Sequence, residues 1–266
     1  MDSTDRTKEA LSVITPFHRI ADLQHIASWI PTASDMGIEV VLVLDSLSEN
    51  DISLVRTALK KNFNQVKVTT GNFGSASASR NAGIALASGE WVAFWDADDH
   101  PNLTNFTQMI SEAKNCSIAK GSYSRQMEKE NQSEKITKTS LQVKSLNNIC
   151  VNTKNPGLWR WAFRRELIKN ISFPEIIFGE DQLFLIEALS KVNEYLYSTA
   201  VVYEYNDANL VSISRVEYRA SNFIESARYS AQRIKNANGV KTKIHLYLFT
   251  MYQMRSAIKA YILGKR

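Results

Sequence analysis

Three carboxylates follow an apolar run near the middle of the chain. Residues 91–95 are apolar, and Asp96, Asp98 and Asp99 come directly after them. Like charges this close repel one another unless a cation lies among them. Mg²⁺ and Mn²⁺ prefer carboxylate oxygens and often complete their coordination with substrate phosphates. The residues therefore favour a divalent-metal site, with Asp96 and Asp98 as ligands, that faces a diphosphate.

Simpler interpretations of the same residues stay open. Asp99 fits equally well as the cap of a helix that starts near Pro101, and Asp96 and Asp98 fit a solvated turn. Other catalytic patterns do not occur in the sequence: the glycines of residues 71–83 match neither a P-loop nor a dinucleotide fingerprint, and there is no serine nucleophile elbow. The histidines and cysteines have no zinc-site spacing: His18, His25, His100, His245, Cys116 and Cys150.

Alternating strands and helices must position these carboxylates. Apolar, β-branched runs predict strands at 11–17, 38–45, 65–71 and 90–96, and helical spacing predicts helices at 22–29, 51–62 and 75–88. Gly89 is the expected C-cap of the third helix, and Pro101 the expected first residue of the next. This alternation is typical of an α/β protein with a parallel sheet, in which ligands bind at the carboxyl ends of the strands. Asp45 and Asp96 both follow such ends.

The charge of the chain is unevenly distributed. The 266 residues carry a net charge of +5. Eleven Lys and Arg residues against two Glu make residues 215–266 +9, which leaves −4 for the rest. We find no nucleic-acid-binding module and exclude that class. The sequence has neither a signal-peptide core nor an apolar run of about 18 residues, so we expect a cytoplasmic protein.

Four segments occur together in a known order. They read SVITPF, VVLVLD, GSASASRNAGIALASGEWVAFWDADD and FGEDQLFLIEAL. In order and spacing, residues 11–215 resemble the family 2 glycosyltransferases, which are inverting enzymes of the GT-A fold with nucleotide-sugar donors. The resemblance implies a Rossmann-like, mostly parallel sheet flanked by helices. It also implies a nucleoside-diphosphate sugar as donor, with UDP as the expected nucleotide.

The resemblance assigns a donor side. Asp45 matches an aspartate that contacts the base, and Arg80 matches an arginine that helps to hold the nucleotide. Asp96 would contact the ribose or the metal, Asp98 would ligate Mn²⁺ or Mg²⁺, and Pro16 would line the same pocket. For Arg80, a salt bridge on a helix surface is the alternative interpretation.

The resemblance also assigns an acceptor side. Asp181 matches the catalytic base, which takes a proton from an acceptor hydroxyl while configuration inverts in one displacement. Glu180 precedes it as a substrate-binding residue. Favourable placement of both acids in a first helical turn is the alternative. Trp159 is assigned to sugar stacking, and a place in the core is equally compatible with its type.

Two departures limit the resemblance. The family commonly has Asp-Asp-Gly-Ser where residues 45–48 read DSLS, which affects the contact to the base or ribose. The Gln-x-x-Arg-Trp motif of the processive synthases does not occur, so we expect addition of a single sugar. A sugar-phosphate nucleotidyltransferase is disfavoured because TPFHRIADLQ is not the Gly-rich loop it needs. A non-catalytic nucleotide-sugar-binding or partner-binding subunit of a glycan assembly complex remains the alternative.

The chain is expected to divide at residue 215. Residues 1–215 would form the GT-A domain and 216–266 a basic helical extension, in which Tyr247, Met251, Met254, Ile258 and Tyr261 recur at helical spacing. Contact with an anionic membrane and packing against protein, including a second copy in a homo-oligomer, are the two interpretations. The expected acceptor is a glycan or lipid-linked hydroxyl of a surface polysaccharide.

Overall fold

The architecture is that of one mixed sheet covered by helices. The computed structural model describes residues 11–125, 140–145, 156–206 and 219–264. Its first strands are β1 (Leu11–Phe17), β2 (Glu39–Asp45), β3 (Lys67–Gly71) and β4 (Trp91–Phe94). They lie in the order β3-β2-β1-β4, and every neighbouring pair is parallel. The predicted α/β class and the four predicted strands are confirmed.

The strands β1, β2 and β4 lie inside the sheet and are almost entirely buried, as expected for strands that are covered on both faces. Every residue of β2 and β4 is buried. One face carries Trp95, which packs edge-on against Phe106 with ring centroids 5.0 Å apart. On the other face Phe94 packs edge-on against Phe173 and Phe184, at 5.1 and 5.4 Å. This packing fixes the strand ends that carry the polar residues.

The helices of the first half connect these strands. They are α1 (Leu23–Asp35), α2 (Glu49–Leu59), α3 (Ala76–Leu86) and α4 (Leu103–Glu112). The first helix runs past its predicted end, through Pro31, because buried Ile30 and Ala33 continue its core-facing side. A capping box between Ser48 and Asp51 begins α2 earlier than predicted.

Two predicted helix ends were wrong. The C-cap of α3 is Ala87 rather than Gly89. Gly89 instead allows close contact with β1, since a Cβ there would lie 2.6 Å from Ser12 Oγ. Pro101 does not open α4, because it belongs to the two-residue strand β5 (His100–Pro101), and Asn102 caps the helix by accepting a hydrogen bond from Asn105 N at 3.0 Å.

The second half of the chain adds four strands to the sheet that sequence periodicity did not show. They are β6 (Ile118–Arg125), β7 (Leu141–Ser145), β8 (Trp161–Arg164) and β9 (Glu194–Tyr205). Strand β8 lies antiparallel between β4 and β6, and β6 pairs with β9 in parallel. The short helix α5 (Arg165–Ile168) follows β8, and α6 (Glu180–Ser190) precedes β9.

The C-terminal segment forms the two predicted helices, α7 (Ala220–Asn236) and α8 (Val240–Ile262). Helix α8 packs against α6 through Gln253, whose Nε2 donates to Gln182 Oε1 at 3.2 Å, and α7 pairs with α6 through Arg233 and Glu187. The domain boundary at residue 215 lies outside the described residues and stays a prediction. None of the helices in the described ranges has the length and apolar character needed to cross a bilayer.

A buried carboxylate ties the sheet together at the edge opposite the expected ligand site. Glu39, only 3% exposed, accepts hydrogen bonds from Ser12 Oγ at 2.6 Å and Ser88 N at 2.8 Å, and it pairs with Lys67. Burial by itself raises the pKa of Glu39, but the bonds from Lys67, Ser12 and Ser88 outweigh it and lower the pKa to about 2.

We expect Glu39→Gln to destabilise the fold near neutral pH by up to about 3 kcal/mol, the value that corresponds to a pKa lowered from 4.5 to about 2. Because the folded-state pKa is depressed, this contribution is complete above pH 4.5 and lost as the pH falls towards 2. About 2 of the 3 kcal/mol should be gone at pH 3. Urea unfolding of both proteins at pH 7 and pH 3 measures the difference.

The control is Glu112→Gln, at an exposed position at the end of α4. It should leave the free energy of unfolding almost unchanged at both pH values. An equal loss for Glu39→Gln at pH 7 and pH 3 would show that the charge of Glu39 is not what stabilises this edge.

Candidate active site

The carboxyl ends of β1, β2 and β4 meet at one edge of the sheet. Pro16 lies at the end of β1, where it is paired with Val43 of β2, and it is partly exposed. Asp45 ends β2. The acidic cluster starts two residues beyond β4. The structure thus brings the predicted donor-side residues to one edge, as the parallel arrangement requires.

Asp45 organises the turn that leads into α3. Its Oδ1 accepts hydrogen bonds from Phe73 N at 2.7 Å and Gly74 N at 3.1 Å, and its Oδ2 lies 3.4 Å from Ser79 Oγ. Ser46, where the family has a second aspartate, adopts a φ of 57° and donates from Oγ to Asp45 Oδ1 at 2.8 Å. The observed role of Asp45 is to hold this turn, and its contact to a base stays a prediction.

Arg80 is the centre of the site. It is buried in α3, where Nη2 donates to Asp96 Oδ1 and Nη1 to Glu180 Oε1, both at 3.2 Å. Its guanidinium carbon lies 5.4 Å from the centroid of the Phe173 ring. Burial lowers the pKa of Arg80, but Asp96, Glu180 and Asp181 outweigh it, so that the guanidinium stays charged. A salt bridge on a helix surface, the alternative interpretation of Arg80, does not describe this buried geometry.

The cluster after β4 holds an excess of negative charge. Burial, with Asp98 and Glu180, raises the pKa of Asp96, and Arg80 opposes the rise. The Asp96 side chain is 37% exposed. Asp98 is partly exposed, and its Oδ2 lies 3.6 Å from Arg19 Nη2. Asp96 and Asp98 are therefore the accessible carboxylates.

Asp99 is buried and fastens the cluster to β9. Its Oδ1 accepts a hydrogen bond from Asn206 N at 2.7 Å. The hydroxyl of Tyr203 accepts a hydrogen bond from Asp96 N at 3.0 Å and also contacts the Asp99 carboxyl group. Burial and the charge of Asp96 raise the pKa of Asp99 to about 8. Asn102, not Asp99, caps α4, so the capping interpretation of Asp99 is wrong.

Asp181 faces this cluster from the first turn of α6. The helix begins after Gly179, whose φ of 87° lets the chain turn sharply into it. Asp181 Oδ1 accepts a hydrogen bond from Gln182 N at 2.7 Å. Burial and the adjacent Glu180 raise the pKa of Asp181 to about 7, against the attraction of Arg80. A carboxylate with a pKa near 7 is suited to accept a proton at neutral pH.

Three residues that support the site were not identified from the sequence. Asn81 exchanges two hydrogen bonds with the backbone of Phe173, of 2.8 and 2.9 Å, and so ties α3 to the segment before α6. The other two are Tyr203 and Arg19. Asn81 could have been identified from the sequence, because it lies next to Arg80 in the family segment SRNAG. For Tyr203 and Arg19 no local signal exists, because the residues of the acidic cluster that they contact lie far away in the sequence.

Trp159 lies in an aromatic stack. It is 8% exposed, and its ring is stacked on Tyr203 and Tyr205 with centroids 4.6 and 5.6 Å away. Tyr123 packs edge-on against it at 4.9 Å. The structure thus shows a core environment for Trp159, and its role in sugar stacking stays a prediction. Through Tyr203 the stack supports the acidic cluster.

The residues at this edge fit a divalent cation that is shared with a ligand. Within the described ranges, no three His, Cys, Asp or Glu side chains converge to hold a metal by themselves. Mg²⁺ is typically held by one or two carboxylates together with substrate phosphates and water. Asp96 and Asp98 supply two such carboxylates. Asp99 Oδ2, buried behind them, has no hydrogen-bond partner among the described residues.

The fold and the site together define a GT-A-type α/β transferase. The profile described as Glycosyl transferase family 2 matches residues 12–178. The chain therefore belongs to glycosyl transferase family 2, and the resemblance in its motifs is confirmed.

Relatives and solved structures agree with this family. An uncharacterized glycosyltransferase, EpsJ of Bacillus subtilis (strain 168), is 27% identical over 201 residues, which cover 71% of this chain and 57% of EpsJ. The chain thus spans little more than half the length of that relative.

Two solved structures share the fold. S. aureus TarS 1–349 in complex with UDP-GlcNAc has a TM-score of 0.69 at 21% identity, covering 94% of this chain and 72% of that one. The mannosyltransferase PcManGT from Pyrobaculum calidifontis, in complex with GDP-Man and Mn²⁺, has a TM-score of 0.61 at 16% identity, covering 97% and 76%.

Proposed function

We propose that this chain is an inverting, metal-dependent glycosyltransferase. It would move one sugar from a nucleoside-diphosphate sugar to a hydroxyl of a glycan or lipid-linked acceptor in surface polysaccharide synthesis, in the cytoplasm. The observation that carries the proposal is the bridge made by Arg80, which joins Asp96 on the donor side to Glu180 beside Asp181. One buried cation thus sets the distance between the diphosphate side and the base.

The donor side supplies charge for a nucleoside diphosphate. Asp96 and Asp98 would hold Mn²⁺ or Mg²⁺, which when bound offsets the charge that develops on the departing diphosphate. Arg80 adds a fixed positive charge beside them. The support for UDP as the nucleotide is the fold shared with TarS, whose structure holds UDP-GlcNAc, and PcManGT with GDP-Man and Mn²⁺ supports the metal. Pro16 and Asp45 are assigned to the nucleotide pocket.

The base side moves the proton. Asp181 Oδ1 is held by Gln182 N, and Oδ2 is the oxygen assigned to the acceptor hydroxyl. A pKa of about 7 keeps a substantial fraction of this carboxyl ionised at neutral pH. As the proton leaves, the acceptor oxygen bonds to the anomeric carbon from the face opposite the diphosphate, while the bond from that carbon to the diphosphate oxygen breaks and the nucleoside diphosphate leaves. Configuration inverts in this single step, with Trp159 assigned to the acceptor sugar.

We expect one nucleoside diphosphate to bind in the presence of Mn²⁺ and to lose that binding in Asp98→Ala. The reason is that Asp98 is one of two accessible carboxylates of the cluster, and one carboxylate cannot replace two. Calorimetric titration of UDP, GDP, dTDP and CMP, with and without Mn²⁺, measures the effect. A loss of at least tenfold in affinity is expected for the variant, and UDP is the expected ligand.

Asp35→Ala, at an exposed aspartate that ends α1, is the matched control and should bind as the wild type does. Metal-independent binding, unchanged in Asp98→Ala, would remove Asp98 from the metal site. Nucleotide binding without any sugar transfer would favour a non-catalytic binding subunit instead.

A further inference from the structure

The helix α8 is apolar on two opposite sides. One side packs against the protein through buried residues, among them Leu246, Phe249 and Ala260. The opposite side, named here the outer face, is formed by Ile244, Tyr247, Met251, Met254, Ile258 and Tyr261. These six side chains are between 43% and 60% exposed. The apolar residues that recur at helical spacing in the sequence therefore lie on the solvent-exposed side of α8 and not on the side that packs against the protein.

The apolar character of the outer face indicates that it is an interaction surface. Exposed single apolar residues are normal on proteins, but a contiguous apolar surface along a helix of 23 residues marks an interaction site. At 1.5 Å per residue the helix is about 34 Å long. Among the described parts of the chain, Ile244, Tyr247, Met251, Met254 and Ile258 each keep at least 43% of their surface exposed.

The charges around the outer face favour an anionic occupant. Helix α8 contains Lys241, Lys243, Arg255 and Lys259 and no acidic residue. From the helical period of 100° per residue, Arg255 and Lys259 lie along one border of the outer face and Lys243 along the other. A second copy of the chain packed about a two-fold axis would bring these cations against one another. An anionic surface instead meets them with opposite charge.

The side chains themselves suit the boundary between lipid headgroups and acyl chains. Tyrosine is enriched there because its ring is apolar and its hydroxyl stays hydrated. Methionine and isoleucine supply apolar area that enters below the headgroups, while lysine and arginine extend back to the phosphates. We propose that the outer face of α8 binds an anionic lipid bilayer, with the helix lying in the plane of the interface. This inference does not depend on the reaction proposed above.

Vesicle co-sedimentation of the full chain tests the proposal. We expect binding to vesicles of phosphatidylcholine with 30% phosphatidylglycerol, at least tenfold weaker binding to phosphatidylcholine alone, and weakening when NaCl rises from 0.1 to 0.5 M. Met251→Asp with Ile258→Asp should lower binding at least tenfold, since both side chains project outward. Arg255→Glu with Lys259→Glu should also lower vesicle binding at least tenfold. Both positions are exposed, and the apolar residues of the outer face are unchanged in this variant.

The matched control is Leu54→Asp, which places a charge at a 52% exposed leucine of α2 and should leave vesicle binding unchanged. Circular dichroism melting of each variant checks that it folds. Equal binding to both vesicle types, no binding to either, or no effect of the two double variants overturns the proposal. A dimer by sedimentation velocity that Met251→Asp with Ile258→Asp dissociates, without vesicle binding, would assign the outer face to a homo-oligomer instead.

Discussion

Asp181→Asn is expected to lower kcat by about 10²–10⁴-fold, the usual contribution of a general base. The amide keeps the size and the hydrogen bond to Gln182 N but cannot take a proton from the acceptor. Donor affinity should change little, because Asp96 and Asp98, and not Asp181, are the residues proposed to hold the donor diphosphate through the metal. Initial-rate kinetics together with calorimetric donor binding separate the two effects.

The pH profile gives a second measurement for the same residue. Burial and Glu180 raise the pKa of Asp181 to about 7, so the carboxyl group is protonated and inactive below that pH and ionised above it. The kcat/KM of the wild type should therefore rise with pH through about 7, and the limb should be absent from the residual activity of Asp181→Asn.

Glu166→Gln is the matched control for Asp181→Asn. Glu166 is also an acid in a first helical turn, but α5 follows the end of β8 that lies beside Trp91, at the opposite edge of the sheet. If both variants keep wild-type kcat, Asp181 is a helix-stabilising acid and not the base. If only Asp181→Asn is inactive but it also loses donor binding, the role of Asp181 is structural.

Arg80→Gln is expected to lower kcat/KM by 10² to 10³-fold or more. Removal of the guanidinium leaves Asp96, Glu180 and Asp181 close together without a cation, and loss of one fixed charge or of the exact position of reacting groups typically costs about 10²–10³-fold in rate. Arg80→Lys should rescue only part of the activity, because a single ammonium group cannot bond to Asp96 and Glu180 at the distances that the fork of arginine spans.

Arg80→Lys offers a readout that a purely structural role would not change. Arg80 lowers the pKa of Asp181. A lysine ammonium group that lies farther from Asp181 should lower it less, so the pKa of Asp181 rises and the limb of the kcat/KM profile moves to higher pH. Arg56→Gln, which removes an arginine that lies 4.9 Å over the Phe63 ring, is the control and should leave both rate and profile unchanged. A loss of activity in Arg80→Lys with an unmoved limb would contradict the proposed coupling.

Much of the fold could be predicted because its signals are local. The runs that became β1, β2 and β4 are largely apolar, and such runs indicate strands buried on both faces. The break before Val240 indicated where α7 ends and α8 begins. Helix ends were predicted less well. Local preference placed Gly89 at the end of α3 and Pro101 at the start of α4, but Gly89 lies against Ser12 and Pro101 pairs with β9.

The acidic residues of the candidate site could also be predicted. Asp96 and Asp98 follow the end of β4, and Asp181 lies at the start of α6. Their segments have the order and spacing of the family, so these positions could be identified in the sequence. Their assigned roles stay predictions. Trp159 shows the limit, since the same side chain suits a sugar or a core, and only the neighbouring rings show that it is stacked on Tyr203 and Tyr205.

By itself the sequence determined the order of the elements in the first half of the chain, the carboxylates at their ends and the basic, apolar character of α8. Only the tertiary structure decided that Arg80 joins Asp96 to Glu180, that Tyr203 supports the cluster from β9, and which side of α8 faces solvent. The physical reason is distance along the chain. Arg80 and Glu180 are 100 residues apart, and Asp96 and Tyr203 are 107 apart, so no local pattern can encode their contact.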